Sequence, residues 1–258
     1  MSGAPAGVEL WFLDVARAGS ALAAVERSTP RLSADELEWT AEPGRNAETR
    51  RHWFRICLRL LLERFVGPRL RQVPFRTSPQ GKPQLPWDAG VMFSLSHSGP
   101  YGLIAIADRE VGVDIEQDRP VNFPSDRQDA MLAAAGAFSP APAAASPLTI
   151  LQAWVRLEAW SKARATGIGV LLHDLGIKGP EWAARGPARD FGGIAASLAR
   201  QEGFVLYDIA LPRPLHAALA TKAGLALPPL RIVPADLSSL EALGASQPEP
   251  SSPSDPNG

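Results

Sequence analysis

Two stretches of the chain repeat their apolar positions with the period of an α-helix. In residues 47–66 the sequence AETRRHWFRICLRLLLERFV carries one apolar stripe, formed by Trp53, Ile56, Cys57, Leu60, Leu61 and Phe65. Another face of this helix carries arginines, which usually form a solvated surface. These arginines are Arg50, Arg51, Arg55 and Arg59. A second helix is predicted from about Leu148 to Gly167, through the sequence LQAWVRLEAWSKARATG.

Short apolar runs between glycine, proline and charged turns predict β-strands. Three strands are expected in meander order at about 91–97, 101–107 and 111–116. After the second helix, the sequences GFVLYDIAL, LHAALATK and PLRIVPA repeat this order of strand, turn, strand and strand. The matched order can arise by chance in an α+β protein, but we favour an internal duplication. The predicted fold is therefore α+β, with two similar halves that each pack a helix on a small antiparallel sheet.

These patterns divide the chain into two halves and a tail. The first half is predicted in residues 1–118 and the second in residues 119–239. Residues 117–149 are polar and then rich in alanine and proline, which is typical of a connector, and the prolines exclude a membrane-spanning helix there. Residues 240–258 have the composition of a disordered tail.

Composition and charge are those of a globular protein without a polyanionic or membrane partner. The 258 residues include 45% hydrophobic and 21% charged residues, which is enough to build a full core. The formal net charge of −1 gives no overall attraction to nucleic acid or to an anionic membrane. Cys57 is the only cysteine, so no intrachain disulfide can form. Together with an N-terminus unlike a signal peptide, this favours a cytoplasmic protein.

The sequence EVGVDIEQDRP places two carboxylates two residues apart in a predicted strand. Asp114 and Glu116 therefore point from the same face, while Val113 and Ile115 point into a core. Like charges held that close require protonation of one group or a cation between them. A solvated strand end explains the spacing as well. A metal site requires a third oxygen ligand from elsewhere, and Mg²⁺ prefers octahedral oxygen coordination.

The second helix and two loops supply further candidates. Glu158 and Lys162 lie four residues apart and share a helix face, which is most often a surface ion pair. The cluster Ser96, His97 and Ser98 precedes a glycine turn, where hydroxyls and an imidazole suit phosphate oxygens or form a polar hairpin corner. Lys82 lies on a stiff loop between glycine and proline, where a lone lysine usually faces solvent.

Taken in order, these motifs resemble those of the 4′-phosphopantetheinyl transferases, specifically the pseudo-dimeric type that activates surfactin synthetase. The resemblance covers roughly residues 45–175 and rests on GKP, FSLSHS, VGVDIE and WVRLEAWSK following the basic helix. It implies two halves related by a pseudo-two-fold axis, with coenzyme A in the cleft between them. It also implies transfer of the 4′-phosphopantetheine group to a serine of an apo acyl-, polyketide- or peptidyl-carrier protein, with release of adenosine 3′,5′-bisphosphate.

The resemblance assigns roles position by position. Mg²⁺ would be held against the coenzyme A pyrophosphate by Asp114, Glu116 and Glu158. The implied catalytic residues are Asp114, Glu158 as a base for the incoming serine, and Lys162 at the leaving phosphate. The residues implied to contact coenzyme A are Arg50, Arg51, Lys82, Ser96, His97 and Lys162. Arg50 is preferred over Arg51 for the 3′-phosphate, which an arginine fork suits.

One position departs from the family pattern, and alternatives to the transferase remain. The family usually has lysine just before the helix glutamate, where this chain has Leu157. Arg156 lies about 100° round the helix and cannot simply substitute for it. A coenzyme A-binding protein without turnover is one alternative, and a serine hydrolase built on Ser96 or Ser98 is another, although the nucleophile-elbow pattern is absent. A cleft within one chain predicts a monomer.

Overall fold

The computed structural model of the protein describes residues 5–38, 46–121, 123–137, 148–180, 182, 189–224 and 227–245. Its helices are α1 (Val15–Ser28), α2 (Ala34–Glu38), α3 (Asn46–Val66), α4 (Ser125–Gly136), α5 (Ile150–Arg164), α6 (Ile168–Asp174), α7 (Phe191–Glu202) and α8 (Leu237–Ala245). Its strands are β1 (Val8–Asp14), β2 (Arg76–Thr77), β3 (Pro83–Gln84), β4 (Met92–Ser98), β5 (Tyr101–Ala107), β6 (Val111–Gln117), β7 (Phe204–Asp208), β8 (Leu215–Lys222) and β9 (Leu230–Ile232). The predicted α+β class is confirmed, while the pseudo-two-fold relation stays a prediction.

The first sheet has the strand order β4-β5-β1-β9 and is covered by α1 and α3. Strands β4, β5 and β1 are antiparallel neighbours, and β9 runs parallel to β1. The apolar stripe predicted for α3 packs into this core, where Cys57, Leu60 and Leu61 are fully buried. The helix predicted over residues 47–66 is therefore confirmed.

The second sheet has the order β6-β8-β7 and packs against α5, with α4 and α7 behind it. Helix α5 begins with a capping box, in which Thr149 accepts from the backbone of Gln152 and Gln152 accepts from the backbone of Thr149. It ends at Ala165, whose φ of 56° breaks the helix. The second predicted helix is thus confirmed, with slightly tighter bounds.

The predicted meanders are wrong in two places, because strands cross between the halves. β6 pairs with β8 and not with β5, and Asp114 lies opposite Ala218. β9 leaves the second half to pair with β1, where Phe12 lies opposite Ile232. Apolar periodicity shows that a run is a strand, but it does not specify which neighbour it pairs with. The boundary at residues 118 and 119 stays a prediction, and both crossings pass over it.

Two stretches predicted as irregular contain helices. α4 lies inside the predicted connector and buries Ala130, Met131, Ala134 and Ala135 against α5 and α7. α8 extends across the predicted start of the tail and buries Leu240. Alanine-rich and short apolar segments show only weak helical periodicity. The prediction for these two stretches therefore followed their composition, which is typical of irregular chain. Residues 138–147 and 246–258 lie outside the described residues.

The arginine face of α3 is also partly buried, contrary to the solvated surface expected for it. Arg59 is fully buried, and its Nε donates to Glu36 Oε2 at 2.7 Å. Its two terminal nitrogens donate to the carbonyls of Leu70 and Val73, each at 2.9 Å. A buried guanidinium is stable only with such complete pairing. Arg59 therefore fixes α2 and the chain after α3.

Across the parts of the chain that the structure describes, every helix is too short or too polar to span a bilayer.

Strand β6 lies directly on the backbone of α5, and Gly112 makes this approach possible. A Cβ atom at Gly112 would lie 2.1 Å from the Ala159 carbonyl oxygen and 2.3 Å from the Ala163 nitrogen. Both of those atoms belong to the helix backbone, which cannot rotate out of the way as a side chain can. The absence of a side chain at this position thus sets the distance between the acid-bearing strand and the helix.

We expect Gly112→Ala to lower the free energy of unfolding by about 1–3 kcal/mol, the usual cost of overpacking. Urea denaturation followed by circular dichroism measures the change. The matched control is Gly136→Ala at the end of α4, where an added Cβ meets nothing within 4 Å. That control should leave stability unchanged or raise it by up to about 1 kcal/mol. Equal effects at the two positions would show that β6 and α5 can move apart easily.

Candidate active site

A ladder of serines on β4 joins the first sheet to the acid pair on β6. Ser96 Oγ donates to Asp114 Oδ1 at 2.7 Å, and Ser98 Oγ donates to Glu116 Oε2 at 2.9 Å. Ser94 Oγ accepts from the backbone nitrogen of β6 at residue 113, at 3.1 Å. Because side chains two apart leave a strand on one face, the spacing of the serines matches the spacing of the acids. The acids therefore lie at the junction of the two sheets.

The cation beside the acid pair is a side chain of α5. Lys162 Nζ lies 2.6 Å from Asp114 Oδ1 and 3.0 Å from Ser96 Oγ. Burial raises the pKa of Asp114, whereas Lys162 and Ser96 oppose that rise. Lys162 thus provides the neutralising charge that two neighbouring carboxylates require.

The second acid of the pair has a partner of its own. Arg119 Nη2 donates to Glu116 Oε1 at 2.8 Å. Burial alone would raise the pKa of Glu116, but Arg119, Ser98 and Lys162 together lower it. Glu116 is therefore ionised at neutral pH. The sequence had given no role to Arg119, which follows the acid by three residues and lies in the turn after the strand.

Glu158 lies one helical turn before Lys162 and is half-buried. Burial raises its pKa, the charges of Asp114 and Glu116 raise it further, and Lys162 opposes them. The helix acid therefore lies within electrostatic range of both strand acids. A carboxyl group whose pKa is raised in this way accepts a proton more readily at neutral pH.

The acids offer oxygen ligands, but they do not form a complete metal cage. Within the described residues, no group of three or more histidine, cysteine, aspartate and glutamate side chains could hold a metal ion by itself. Asp114 Oδ2 is buried and has no hydrogen-bond partner among those residues, so one carboxylate oxygen remains available. Carboxylate oxygens suit Mg²⁺, which usually completes its shell with phosphate oxygens and water. The donor set therefore fits Mg²⁺ only together with ligands from a phosphate substrate.

His97 lies on β4, near the acids of β6 and next to the basic start of α3. Its ring stacks on Phe54 with the centroids 4.7 Å apart and the planes 2° from parallel. Partial desolvation lowers the pKa of His97, and the nearby cations Arg51, Lys162 and Arg55 lower it further. The imidazole is therefore neutral at pH 7 and keeps one N–H to donate to an anion. Arg51 is exposed and Arg50 is half-buried in the same turn of α3.

Lys82 does not face solvent as a loop lysine usually does. Its Nζ donates to the Val111 carbonyl at 2.9 Å and to the Lys162 carbonyl at 2.8 Å. Burial lowers its pKa to about 8, while Glu110 has the opposite effect. The ammonium thus binds the backbone of both β6 and α5, and its predicted contact with the nucleotide stays a prediction.

The position that departs from the family pattern belongs to the core. Leu157 is fully buried among the side chains between α5 and the second sheet. Arg156 is buried as well, and it pairs with Asp208 and donates to the Ala135 carbonyl at 3.1 Å. Neither residue contributes charge to the acid cluster, so the cluster's cation from this helix is Lys162.

Comparison with known proteins found no matching family model, but two curated proteins match part of the chain. One is named "Putative 4'-phosphopantetheinyl transferase slr0495", from Synechocystis, and is 40% identical over 70 residues, which is 24% of this chain. The other is 4′-phosphopantetheinyl transferase psf-1 from Bacillus pumilus, 31% identical over 68 residues, which is 26% of this chain. About a quarter of the chain is thus similar to proteins that carry the name 4′-phosphopantetheinyl transferase. The matches span 26% and 29% of the relatives' own lengths.

We expect the stability contributed by Lys82 to depend on pH above 8. Its pKa is about 8 in the folded protein and 10.5 when unperturbed, so the unfolded chain binds more protons between those values. Stability therefore rises with pH across this window, as the cost of a buried charge is relieved. The unfolding free energy of the protein minus that of Lys82→Met, from urea titrations between pH 7 and roughly 10.5, should increase accordingly. A difference that stays flat would show that Lys82 is not held in this buried environment.

Proposed function

We propose that this protein is a magnesium-dependent phosphopantetheinyl transferase of the pseudo-dimeric type that activates surfactin synthetase. It transfers the 4′-phosphopantetheine group of coenzyme A to a serine of an apo carrier protein and releases adenosine 3′,5′-bisphosphate. The observation that carries the proposal is the meeting of Asp114, Glu116, Glu158 and Lys162 where the two sheets join. Similarity to proteins named 4′-phosphopantetheinyl transferases supports the reaction class, and the type that we propose is a holo-[acyl-carrier-protein] synthase.

Asp114, Glu116 and Glu158 are the residues that would hold Mg²⁺. The unpaired Oδ2 of Asp114 supports this assignment, and so does the rise in the pKa of Glu158 to which Asp114 and Glu116 contribute. Bound there, Mg²⁺ supplies positive charge to the diphosphate oxygens of coenzyme A. The two acids on one face of β6 are already paired with Lys162 and Arg119, and in the proposed site Mg²⁺ would add to this neutralisation.

Lys162 and Ser96 are placed to hold the phosphate that leaves. The ammonium already donates to an anionic oxygen at 2.6 Å and to a hydroxyl oxygen at 3.0 Å, so its third N–H can donate to a phosphate oxygen. During transfer the bond from the β-phosphorus to the bridging oxygen breaks, and the negative charge collects on the departing phosphate. A fixed cation at that point lowers the barrier without moving.

Glu158 is the candidate base for the carrier serine. Its raised pKa makes it a better proton acceptor at neutral pH than an exposed glutamate. The serine oxygen forms the new bond to phosphorus as its proton passes to Glu158, directly or through water. The neutral imidazole of His97 can donate its N–H to a phosphate oxygen, and Arg50 or Arg51 can bind the 3′-phosphate.

The alternatives receive less support from the site. Only Leu157 favours a binding protein without turnover, and Leu157 is a core residue. The site itself keeps a cation from α5, Lys162. A serine hydrolase of the triad type requires a serine hydroxyl bonded to a histidine ring. The hydroxyls of Ser96 and Ser98 donate to carboxylates, whereas the His97 ring stacks on Phe54.

The proposal includes a monomer that works in the cytoplasm on acyl-, polyketide- or peptidyl-carrier proteins. The cleft within one chain that the resemblance implies is the basis for proposing a monomer. The single cysteine, Cys57, is a buried free thiol, and burial raises its pKa, so it is poorly reactive. A free thiol of this kind agrees with the reducing environment of the cytoplasm.

The direct test is transfer to a carrier protein. The purified protein is incubated with coenzyme A, Mg²⁺ and apo carriers from fatty-acid, polyketide and peptide synthases, and the carriers are weighed by mass spectrometry. We expect at least one carrier to gain the phosphopantetheine mass, and EDTA to prevent the gain. If every carrier keeps its mass while calorimetry shows coenzyme A binding, the protein is a binder without turnover.

Asp114→Asn should lower kcat by roughly 100-fold or more, because it removes a buried charge from the phosphate site while keeping the shape of the side chain. Steady-state transfer rates measure the loss, and circular dichroism shows whether the fold is kept. Asp129→Asn, an exposed carboxylate on α4, is the control and should retain the normal rate. An Asp114→Asn rate near normal would remove Asp114 from the active site.

Arg50→Ala should raise the KM for coenzyme A about tenfold, as expected for the loss of a charge-assisted hydrogen bond. The KM for 3′-dephospho-coenzyme A should change little, since that substrate lacks the phosphate concerned. Arg200→Ala, an exposed arginine on α7, is the matched control. Equal increases in KM for both substrates would assign the 3′-phosphate to another residue.

A further inference from the structure

Lys82 lies in a hairpin turn, and the sequence of that turn explains why the backbone of the lysine is held in place. The short strands β2 and β3 pair through Thr77 and Pro83, and the turn between them is closed by the backbone and side chain of Ser78. Ser78 Oγ accepts from the backbone nitrogen of Lys82 at 3.0 Å, and the Ser78 nitrogen donates to the Lys82 carbonyl at 2.9 Å. Gly81 has a φ of 88°, which a side chain would disfavour. The turn therefore fixes where the lysine begins.

The ammonium of Lys82 joins two elements that are distant in the chain. One acceptor is the carbonyl of Val111, the first residue of β6, and the other is the carbonyl of Lys162, in the last turn of α5. The last carbonyls of a helix carry partial negative charge, so a lysine is favoured there. Glu110, just before β6, adds an attractive charge.

These two hydrogen bonds lie beside the closest approach of the strand and the helix. Val111 precedes Gly112, whose backbone lies against Ala159 and Ala163. Lys162 precedes Ala163. The ammonium and the glycine thus act on the same contact, the first by binding both backbones and the second by allowing them to meet.

We infer that Lys82 is a positioning residue, whose ammonium fixes β6 against the last turn of α5 and so sets the distance from Asp114 to Lys162 and Glu158. Its two hydrogen bonds are made to the backbone of β6 and α5, so this role requires no contact with the substrate. The effect on catalysis rests on the proposed function, whereas the effect on the joint between β6 and α5 does not. A displacement of about 1 Å between reacting groups is enough to slow an enzyme roughly 100-fold.

The test replaces Lys82 with methionine, which keeps the length of the side chain and removes its donors. We expect kcat for carrier modification to fall roughly tenfold or more, with the KM for coenzyme A changed less than about twofold. The loss should be the same with 3′-dephospho-coenzyme A. Lys178→Met, an exposed lysine after α6, is the matched control and should behave as the unaltered protein.

A second measurement is independent of activity. The amides of Ala165 and Thr166 donate to the carbonyls of Lys162 and Ser161, so they report on the last turn of α5. Hydrogen–deuterium exchange at these amides should be at least roughly tenfold faster in Lys82→Met than in the control. If the unaltered protein transfers nothing to any carrier, the proposed function fails, but the exchange result still decides whether Lys82 holds the joint.

Two outcomes would overturn the inference. A raised KM for coenzyme A with unchanged kcat and unchanged exchange would make Lys82 a nucleotide contact. Normal kinetics with normal exchange would give it no role in the joint. Should Lys82→Met fail to fold, Gly81→Ala strains the turn that presents the lysine without meeting any atom within 4 Å, and it should show the same pattern more weakly.

Discussion

The ion pair between Asp114 and Lys162 is the interaction on which the candidate site depends, because it connects β6 to α5 at the junction of the two sheets. A carboxylate as deeply buried as Asp114 is costly unless a cation and further donors compensate it. Lys162 and Ser96 provide both, from two different elements. The ion pair therefore stabilises the packing of β6 on α5 and also provides two of the charged groups of the site. Breaking it would leave a buried charge and loosen both elements together.

For the proposed reaction, the site holds its charges in a form that a phosphate substrate can exchange. Asp114 is paired with Lys162 and Glu116 with Arg119, so each strand acid already has a cation from the protein. In the proposed reaction, a diphosphate arriving with Mg²⁺ would supply a new cation for the acids and a new anion for the lysine. The exchange of partners conserves charge overall, so substrate binding avoids the full cost of creating a buried ion. Pre-arranged donors of this kind reduce the reorganisation required during the reaction.

The sequence predicted much of the site but less of the fold around it. Asp114 and Glu116 could be placed on one face because strand geometry is local, and Glu158 and Lys162 because helix geometry is local. The partner of β6 could not be predicted, since pairing is decided by contacts far away in the chain. The same limit explains why the buried position of Lys82 could not be predicted, since its two acceptors lie 29 and 80 residues away in the chain. The serine at position 98 and its spacing from position 96 offered a signal for the ladder, because alternate hydroxyls on a strand share a face.

The exchanged strands make each half of the chain incomplete without the other. The second sheet takes its edge strand, β6, from before the predicted boundary, and the first sheet takes β9 from near the end of the described chain. Unfolding of either sheet therefore exposes an unpaired strand belonging to the opposite half, so the two should open as one cooperative unit. Pairings between residues as distant as 10 and 230 also give the chain a high contact order. The molecule must then close its longest loop before the first sheet is complete, which favours slow folding with the acid-bearing strand assembled late.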